Sequence, residues 1–234
     1  MIAVVDYCKG NLKSVERGLR AVGGDAHITD NPEVIRAADA VVLPGVGSFA
    51  DASQHMVESG QMEAVRDAIA AGKPFLGICL GEHLLFETGV EGAAGPGVDG
   101  AMGDPHLPVG LGVVSGTVAR MPSKNAQGVL YKVPHVGWNS VEFTAECPLF
   151  EGIASGEYFY FTHSYIAPEN ECTVATTTHS VTFPCAVQKG KVFGVQFHPE
   201  VNHTPFGKDM IKNFLYNVCK LSGDWTMSDY AKNY

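Results

Sequence analysis

Cys79 closes the apolar run Phe75-Leu76-Gly77-Ile78 and is followed by Leu80-Gly81 and a stretch able to form a helix. A strand that turns sharply into a helix displays a thiol above the sheet edge, and flanking glycines relieve crowding at such a bend. Far along the chain a second apolar run, Gly194-Val195-Gln196-Phe197, ends in His198-Pro199-Glu200. The three side chains together supply a nucleophile, a base and an orienting carboxylate. A thiol of ordinary pKa, about 8.5, is mostly protonated at neutral pH, and a helix N-terminus plus a neighbouring imidazole stabilise its thiolate. That thiolate attacks a carboxamide, His198 hands a proton to the departing amine, and Glu200 fixes the imidazole tautomer and steadies its cation. Singly, each element has a plainer reading, a buried small hydrophobe for Cys79 and a turn for His198-Pro199-Glu200.

The elements that must position these groups are legible as alternating strands and helices. Residues 2–6 read as a buried strand, and Leu12, Val15, Leu19 and Val22 then repeat at helical spacing behind Asn11, a residue type suited to an N-cap. Residues 40–43 and 74–78 give further strands with a helix expected over 51–71 between them. Such βα units imply a parallel sheet with crossover helices, which puts Cys79 at a strand's carboxyl end. The second half is strand-rich over 112–121, 158–165 and 172–178, and a hairpin with arms 186–188 and 192–195 around Lys189-Gly190-Lys191 delivers His198. Thr204-Pro205 opens a helix whose Phe206, Met210, Ile211, Phe214, Leu215 and Val218 share one apolar face. Glycines at 89, 92, 95, 97, 100, 103 and 110, with Pro96, Pro105 and Pro108, make 89–110 an exposed loop.

The 234 residues are enough for one α/β unit, expected over 1–222 with a tail at 223–234. A formal net charge of −9 without a basic stripe argues against nucleic-acid binding. The six cysteines are scattered, with no metal-ligand spacing, which points to a reducing compartment and to no metal or other cofactor. No apolar stretch reaches the ~18 residues of a membrane span and no leader pattern opens the chain, so the expected location is the cytoplasm.

Gly77-x-Cys79-x-Gly81 followed by His198-Pro199-Glu200 resembles the class I glutamine amidotransferases, which use a Cys-His-Glu triad. Further segments extend the likeness: Asp6-Tyr7 with Gly10-Asn11-Leu12, Pro44-Gly45-Val46-Gly47, Pro134-His135-Val136-Gly137-Trp138-Asn139 and Phe161-Thr162-His163-Ser164-Tyr165. Within the family these are similar to glutaminase subunits of imidazole glycerol phosphate synthase. The resemblance implies a flavodoxin-like α/β fold with a mixed, mostly parallel sheet flanked by helices. It also implies glutamine hydrolysis through a Cys79 thioester, with ammonia supplied to a (β/α)8-barrel cyclase subunit for histidine biosynthesis. The triad would be Cys79, His198 and Glu200. The oxyanion hole would use the Gly45-Val46 backbone and the Leu80 N–H. Gly45, Gly47, Gly81, His83, His163, Ser164 and Tyr165 would surround glutamine, and Asn11, Pro134, His135, Trp138 and Asn139 would lie at the partner interface. The opposing reading for Trp138 is a buried core aromatic.

Three positions depart from the pattern. His83 stands where the family usually has a glutamine that contacts the substrate, with Glu82 beside it as a charge able to oppose the thiolate if turned inward. Cys8 replaces a usual glycine. Val201 replaces a lysine that faces the synthase, and 201–226 is similar to the amidotransferase portion of GMP synthetase. Two other functions therefore stand beside the first. One is delivery of ammonia to a different acceptor, in GMP formation or an amino-sugar pathway, and the other is a noncatalytic binding or scaffold role.

Overall fold

The computed structural model describes residues 1–8, 10–93, 106–201, 204 and 206–221. Strand β1 (Ile2–Val5) is apolar at every position, and a strand of that kind needs cover on both faces. Ile2 and Val4 enter one core with Val15 and Leu19 of α1 (Leu12–Ala21), whereas Ala3 and Val5 enter a second with Ile35 of α2 (Pro32–Ala37). The same alternation splits β3 (Ala40–Gly45), where Val42 faces the first core and Val41 and Leu43 the second. The expected apolar stripe of α1 is thus buried, although the Asn11 side chain makes no capping bond.

With β2 (Ala26–Thr29), β4 (Phe75–Cys79) and β12 (Val192–Val195), these strands form the parallel half of a nine-stranded sheet, in the order β2-β1-β3-β4-β12. Beyond β12 every pairing is antiparallel, through β11 (Thr182–Lys189), β10 (Thr173–Thr178), β7 (His135–Phe143) and β8 (Glu157–His163). A three-stranded sheet of β5 (Phe86–Gly89), β6 (Val114–Arg120) and β9 (Tyr165–Ile166) sits beside it.

Several boundaries differ from expectation. The helix expected over 51–71 is two, α3 (Phe49–Glu58) and α4 (Gln61–Ala70), because Gly60 at φ 77° takes a left-handed conformation that ends one helix and opens the next. The strand expected over 158–165 breaks at Ser164, giving β8 and β9 to different sheets. The last helix begins at Gly207 as α6 (Gly207–Asn213) and ends in a π-helical turn (Phe214–Val218), with Met210, Ile211, Phe214, Leu215 and Val218 buried as expected. Gly89 closes β5 and Val109 bridges to Thr88, so both ends of the glycine-rich segment are tied down. Its residues 94–105, the tail 223–234 and Pro205 of the expected helix start lie outside the described residues.

Candidate active site

The β3, β4 and β12 register brings the chemistry together. Gly45 pairs with Cys79 at the ends of β3 and β4, and Val195 pairs with Ile78, so the chain leaving β12 passes directly beside the thiol. Cys79 adopts φ 54° and ψ −109°, a conformation that costs an L-residue about 1–3 kcal/mol and must be imposed by its surroundings. Those surroundings are tight. A β-carbon on Gly81 would lie 1.7 Å from the Leu43 carbonyl oxygen, and one on Gly77 would lie 2.4 Å from the Gly81 carbonyl oxygen. Both glycines are therefore demanded by the packing of the bend. The helix that follows, α5 (Leu80–His83), is only four residues long. Its dipole is correspondingly small.

His198 Nδ1 is 2.9 Å from Glu200 Oε1, and both residues are buried. Burial alone would depress the imidazole, but hydrogen bonding and charge attraction from Cys79 and then Glu200 prevail and push its pKa up to about 10. Nε2 is buried and makes no bond of ordinary hydrogen-bonding geometry, although the sulfur is close enough to help hold the imidazolium. His198 is fixed through its backbone as well, since its N–H donates to the Tyr160 carbonyl at 2.9 Å. Phe197 packs between Phe159 and Phe161, and a β-carbon on Gly207 would strike the Pro199 carbonyl oxygen at 2.1 Å. The segment from 197 to 200 is thus clamped by β8 on one side and by the start of α6 on the other.

A cavity of about 440 Å³ opens over the thiol, lined by Val46, Gly47, Ser48, Cys79, Leu80, His83, Glu91, Pro134, Thr162, His163, Ser164 and Tyr165. As the first residue of α5, Leu80 carries an N–H that the helix does not use. Gly45 lies behind this wall rather than on it, where a β-carbon would come within 1.8 Å of Tyr7 Oη. Gly81 lies under the bend, against Leu43. His163 is held neutral by burial, which drives its pKa down to about 3, and its Nδ1 donates to the Tyr165 carbonyl at 2.8 Å. Glu91, which the sequence did not single out, accepts from the Phe49 N–H at 3.3 Å; burial raises its pKa. A lone acid at the start of a glycine-rich stretch has no spacing signal to reveal it.

Glu82 and His83 both turn inward. Glu82 is fully buried, neither carboxyl oxygen has a hydrogen-bond partner, and burial raises its pKa to about 8. It is therefore neutral at pH 7 and does not oppose the thiolate as an anion. His83 Nε2 lies 2.6 Å from Gln196 Oε1, and burial lowers the imidazole pKa to about 4. Cys8 adopts a left-handed backbone conformation of the kind that favours glycine, at φ 66°, with its N–H donating to Asp6 Oδ1.

The residues expected at a partner interface separate into two groups. Trp138 is about half exposed, at 51%, and packs edge-on against Tyr160 at 5.0 Å, so it is not a core aromatic. Val136 and Tyr158 share its face of the β7–β8 pair and are also exposed, and Pro134 carries that face to the rim of the cavity. Asn11 is exposed too. His135 instead points inward, stacked on Phe161 and His179, and its Nδ1 is 3.1 Å from His163 Nε2. It buttresses the face from below because the pleat alternates sides along β7. Asn139 is half-buried and donates to the Thr178 carbonyl at 2.8 Å, so it too braces the strand. Among the described residues there is no His/Cys/Asp/Glu group able to hold a metal ion and no helix long and apolar enough to cross a membrane.

A buried cysteine on a strained strand-to-helix bend thus faces a His–Glu pair on the segment leaving the neighbouring strand of an α/β sheet covered on both faces. The chain belongs to the class-I glutamine amidotransferase family, whose pattern its residues 3–218 match. It is 43% identical over 215 residues to the imidazole glycerol phosphate synthase subunit HisH of Moorella thermoacetica, covering 91% of this chain and 93% of that one. The subunit of the same name from Syntrophotalea carbinolica is 41% identical over 217 residues, covering 92% and 98%. A solved glutamine amidotransferase superposes with a TM-score of 0.67 over 94% of this chain and 100% of that one, at 20% identity, a likeness of fold.

Proposed function

We propose that the protein is the glutaminase subunit of imidazole glycerol phosphate synthase, a cytoplasmic enzyme that releases ammonia from glutamine for a cyclase partner in histidine biosynthesis. The observation that carries this reading is the coupled Cys79–His198–Glu200 set opening into a cavity of amino-acid size. The Cys79 thiolate attacks the side-chain amide carbon of glutamine, and the resulting oxyanion is met by the Leu80 N–H and the Gly45–Val46 backbone. His198 gives its proton to the departing nitrogen, leaving a thioester. Water then attacks the thioester with His198 as base, which releases glutamate and restores the thiol. Glu91 supplies the anion suited to the α-ammonium group, and the backbone at 163–165 faces the rest of the amino-acid end.

The exposed face of Val136, Trp138 and Tyr158, continuous with the cavity rim at Pro134, is where the cyclase subunit would dock to form a heterodimer. Docking there covers the route by which ammonia would otherwise be lost to water. The test is glutamate release from glutamine by the purified chain, alone and with a cyclase subunit plus its nucleotide ligand. Stimulation by that partner is expected. Folded protein that releases no glutamate in any mixture refutes the reading, and stimulation only by an ATP pyrophosphatase partner moves it to GMP formation.

A further inference from the structure

The residue most closely tied to the nucleophile outside the triad is Gln196. It follows β12 directly, and because Val195 pairs with Ile78 in the parallel register, Gln196 falls beside Cys79. Its side chain is wholly buried, with Nε2 3.6 Å from Cys79 Sγ and Oε1 2.6 Å from His83 Nε2. His83 comes back over the thiol because α5 places it one turn after Cys79.

The polarity of this chain of contacts follows from elementary chemistry. An amide oxygen only accepts, so His83 must donate from Nε2, and the imidazole is a neutral Nε2–H tautomer. With the oxygen so engaged, the amide NH₂ is turned to the sulfur. The reverse orientation would aim a carbonyl lone pair at a thiolate. We infer that Gln196 is a catalytic donor that stabilises the Cys79 thiolate through its side-chain N–H, and that His83 is the positioning residue that locks the amide in that orientation.

This deepens the glutaminase reading, on which it rests for its purpose, by assigning His83 to the nucleophile rather than to substrate. The other titratable groups facing the sulfur and this pair are Tyr7 after β1, His198 with Glu200 after β12, Glu82 on α5, His163 at the end of β8, Glu91 across the cavity and Cys185 on β11. Tyr7, whose hydroxyl burial and the Cys79 charge keep protonated, and Glu82, neutral at pH 7, add no anion there. Glu82 Oε2 is 3.8 Å from His83 Nε2, beyond hydrogen-bonding range, so it does not compete with Gln196 for that proton.

The test is the pH profile of iodoacetamide alkylation, followed on the Cys79 peptide by mass spectrometry between pH 5 and 9. Gln196→Met keeps the volume and removes the donor. It should move the midpoint of the profile up by about one pH unit, lowering the alkylation rate by about tenfold at pH values below that midpoint, the worth of a charge-assisted hydrogen bond. His83→Phe should shift the profile the same way by about threefold, since the amide is then free to turn. His83→Gln retains an N–H at the reach of Nε2 and should restore the original profile.

Wild-type profiles in folded Gln196→Met and His83→Phe proteins overturn the inference, and if the first fails to fold the second decides alone. Alkylation needs no glutamine, so the two readings fail separately. A shifted profile in a protein that never hydrolyses glutamine keeps the donor and rejects the glutaminase, and an unshifted profile with normal hydrolysis does the reverse.

Discussion

Replacing Glu82 by methionine should stabilise the protein in a strongly pH-dependent way. The folded carboxyl, pushed by burial from an ordinary 4.5 to about 8, keeps its proton across a window in which the unfolded chain has lost it. Between pH 4.5 and 8 the folded state therefore binds more protons, and stability falls as pH rises. At 1.36 kcal/mol per unit, the cost at pH 7 is about 3 kcal/mol and at pH 5 under about 1 kcal/mol. Methionine fills a similar volume with no ionisable group and leaves no unpartnered oxygens. The contributions of His83 and His198, which titrate in overlapping ranges, cancel when the two proteins are compared at each pH. Urea unfolding at pH 5, 6, 7 and 8 should show the advantage of Glu82→Met growing by about 2–3 kcal/mol from pH 5 to pH 7. An advantage that stays constant with pH would refute the assignment of a buried, neutral carboxyl.

Four further outcomes are expected. Cys79→Ala should abolish glutamine hydrolysis while leaving partner binding intact, as measured by glutamate release and by calorimetry; retained hydrolysis would remove Cys79 as nucleophile. Glu200→Gln should slow hydrolysis by roughly 10²-fold or more and move the basic limb of the pH–rate profile to lower pH, because the group lost helps to hold the His198 imidazolium. Gly45→Ala should destabilise by about 1–3 kcal/mol through the clash with Tyr7 Oη, and Tyr7→Phe should recover most of that loss in thermal melts, whereas simple additivity of the pair would contradict the contact. Trp138→Ala should weaken cyclase binding by about tenfold or more without altering basal hydrolysis, and unchanged affinity would place the interface elsewhere.

The strands around the site were readable because β1, β3 and β4 are continuous apolar runs of types that fit a sheet covered on both faces. Residues 51–71 read as one helix because Ser59-Gly60 interrupts the apolar spacing by little, while the left-handed turn at Gly60 is a backbone property. Cys79 and the His198–Glu200 pair were picked out by two local motifs, and the β4–β12 register brings them side by side. Gln196 was not picked out, although it sits within one of those motifs, because its meaning depends on the register between β12 and β4, and no local pattern reports a register between strands so far apart in sequence. Glu82 and Trp138 are the inverse case. An acid on a four-residue helix pinned between strands has no solvent side to choose, and a tryptophan on a two-stranded edge finds no second layer above it.

The seam between β4 and β12 also bears on when the thiol becomes reactive. Cys79 and the Gly45–Val46 backbone proposed for the oxyanion hole belong to the early part of the chain, while His198, Glu200 and Gln196 arrive only with the last hairpin, whose β12 closes directly onto β4. At a synthesis rate of about 5–20 residues per second, the cysteine exists for on the order of ten seconds before His198 is made. During that time the thiol has neither the imidazole nor the amide beside it. Under the mechanism proposed above, activation is thereby tied to completion of the sheet, so that a truncated or half-folded chain does not carry an activated nucleophile into the cell.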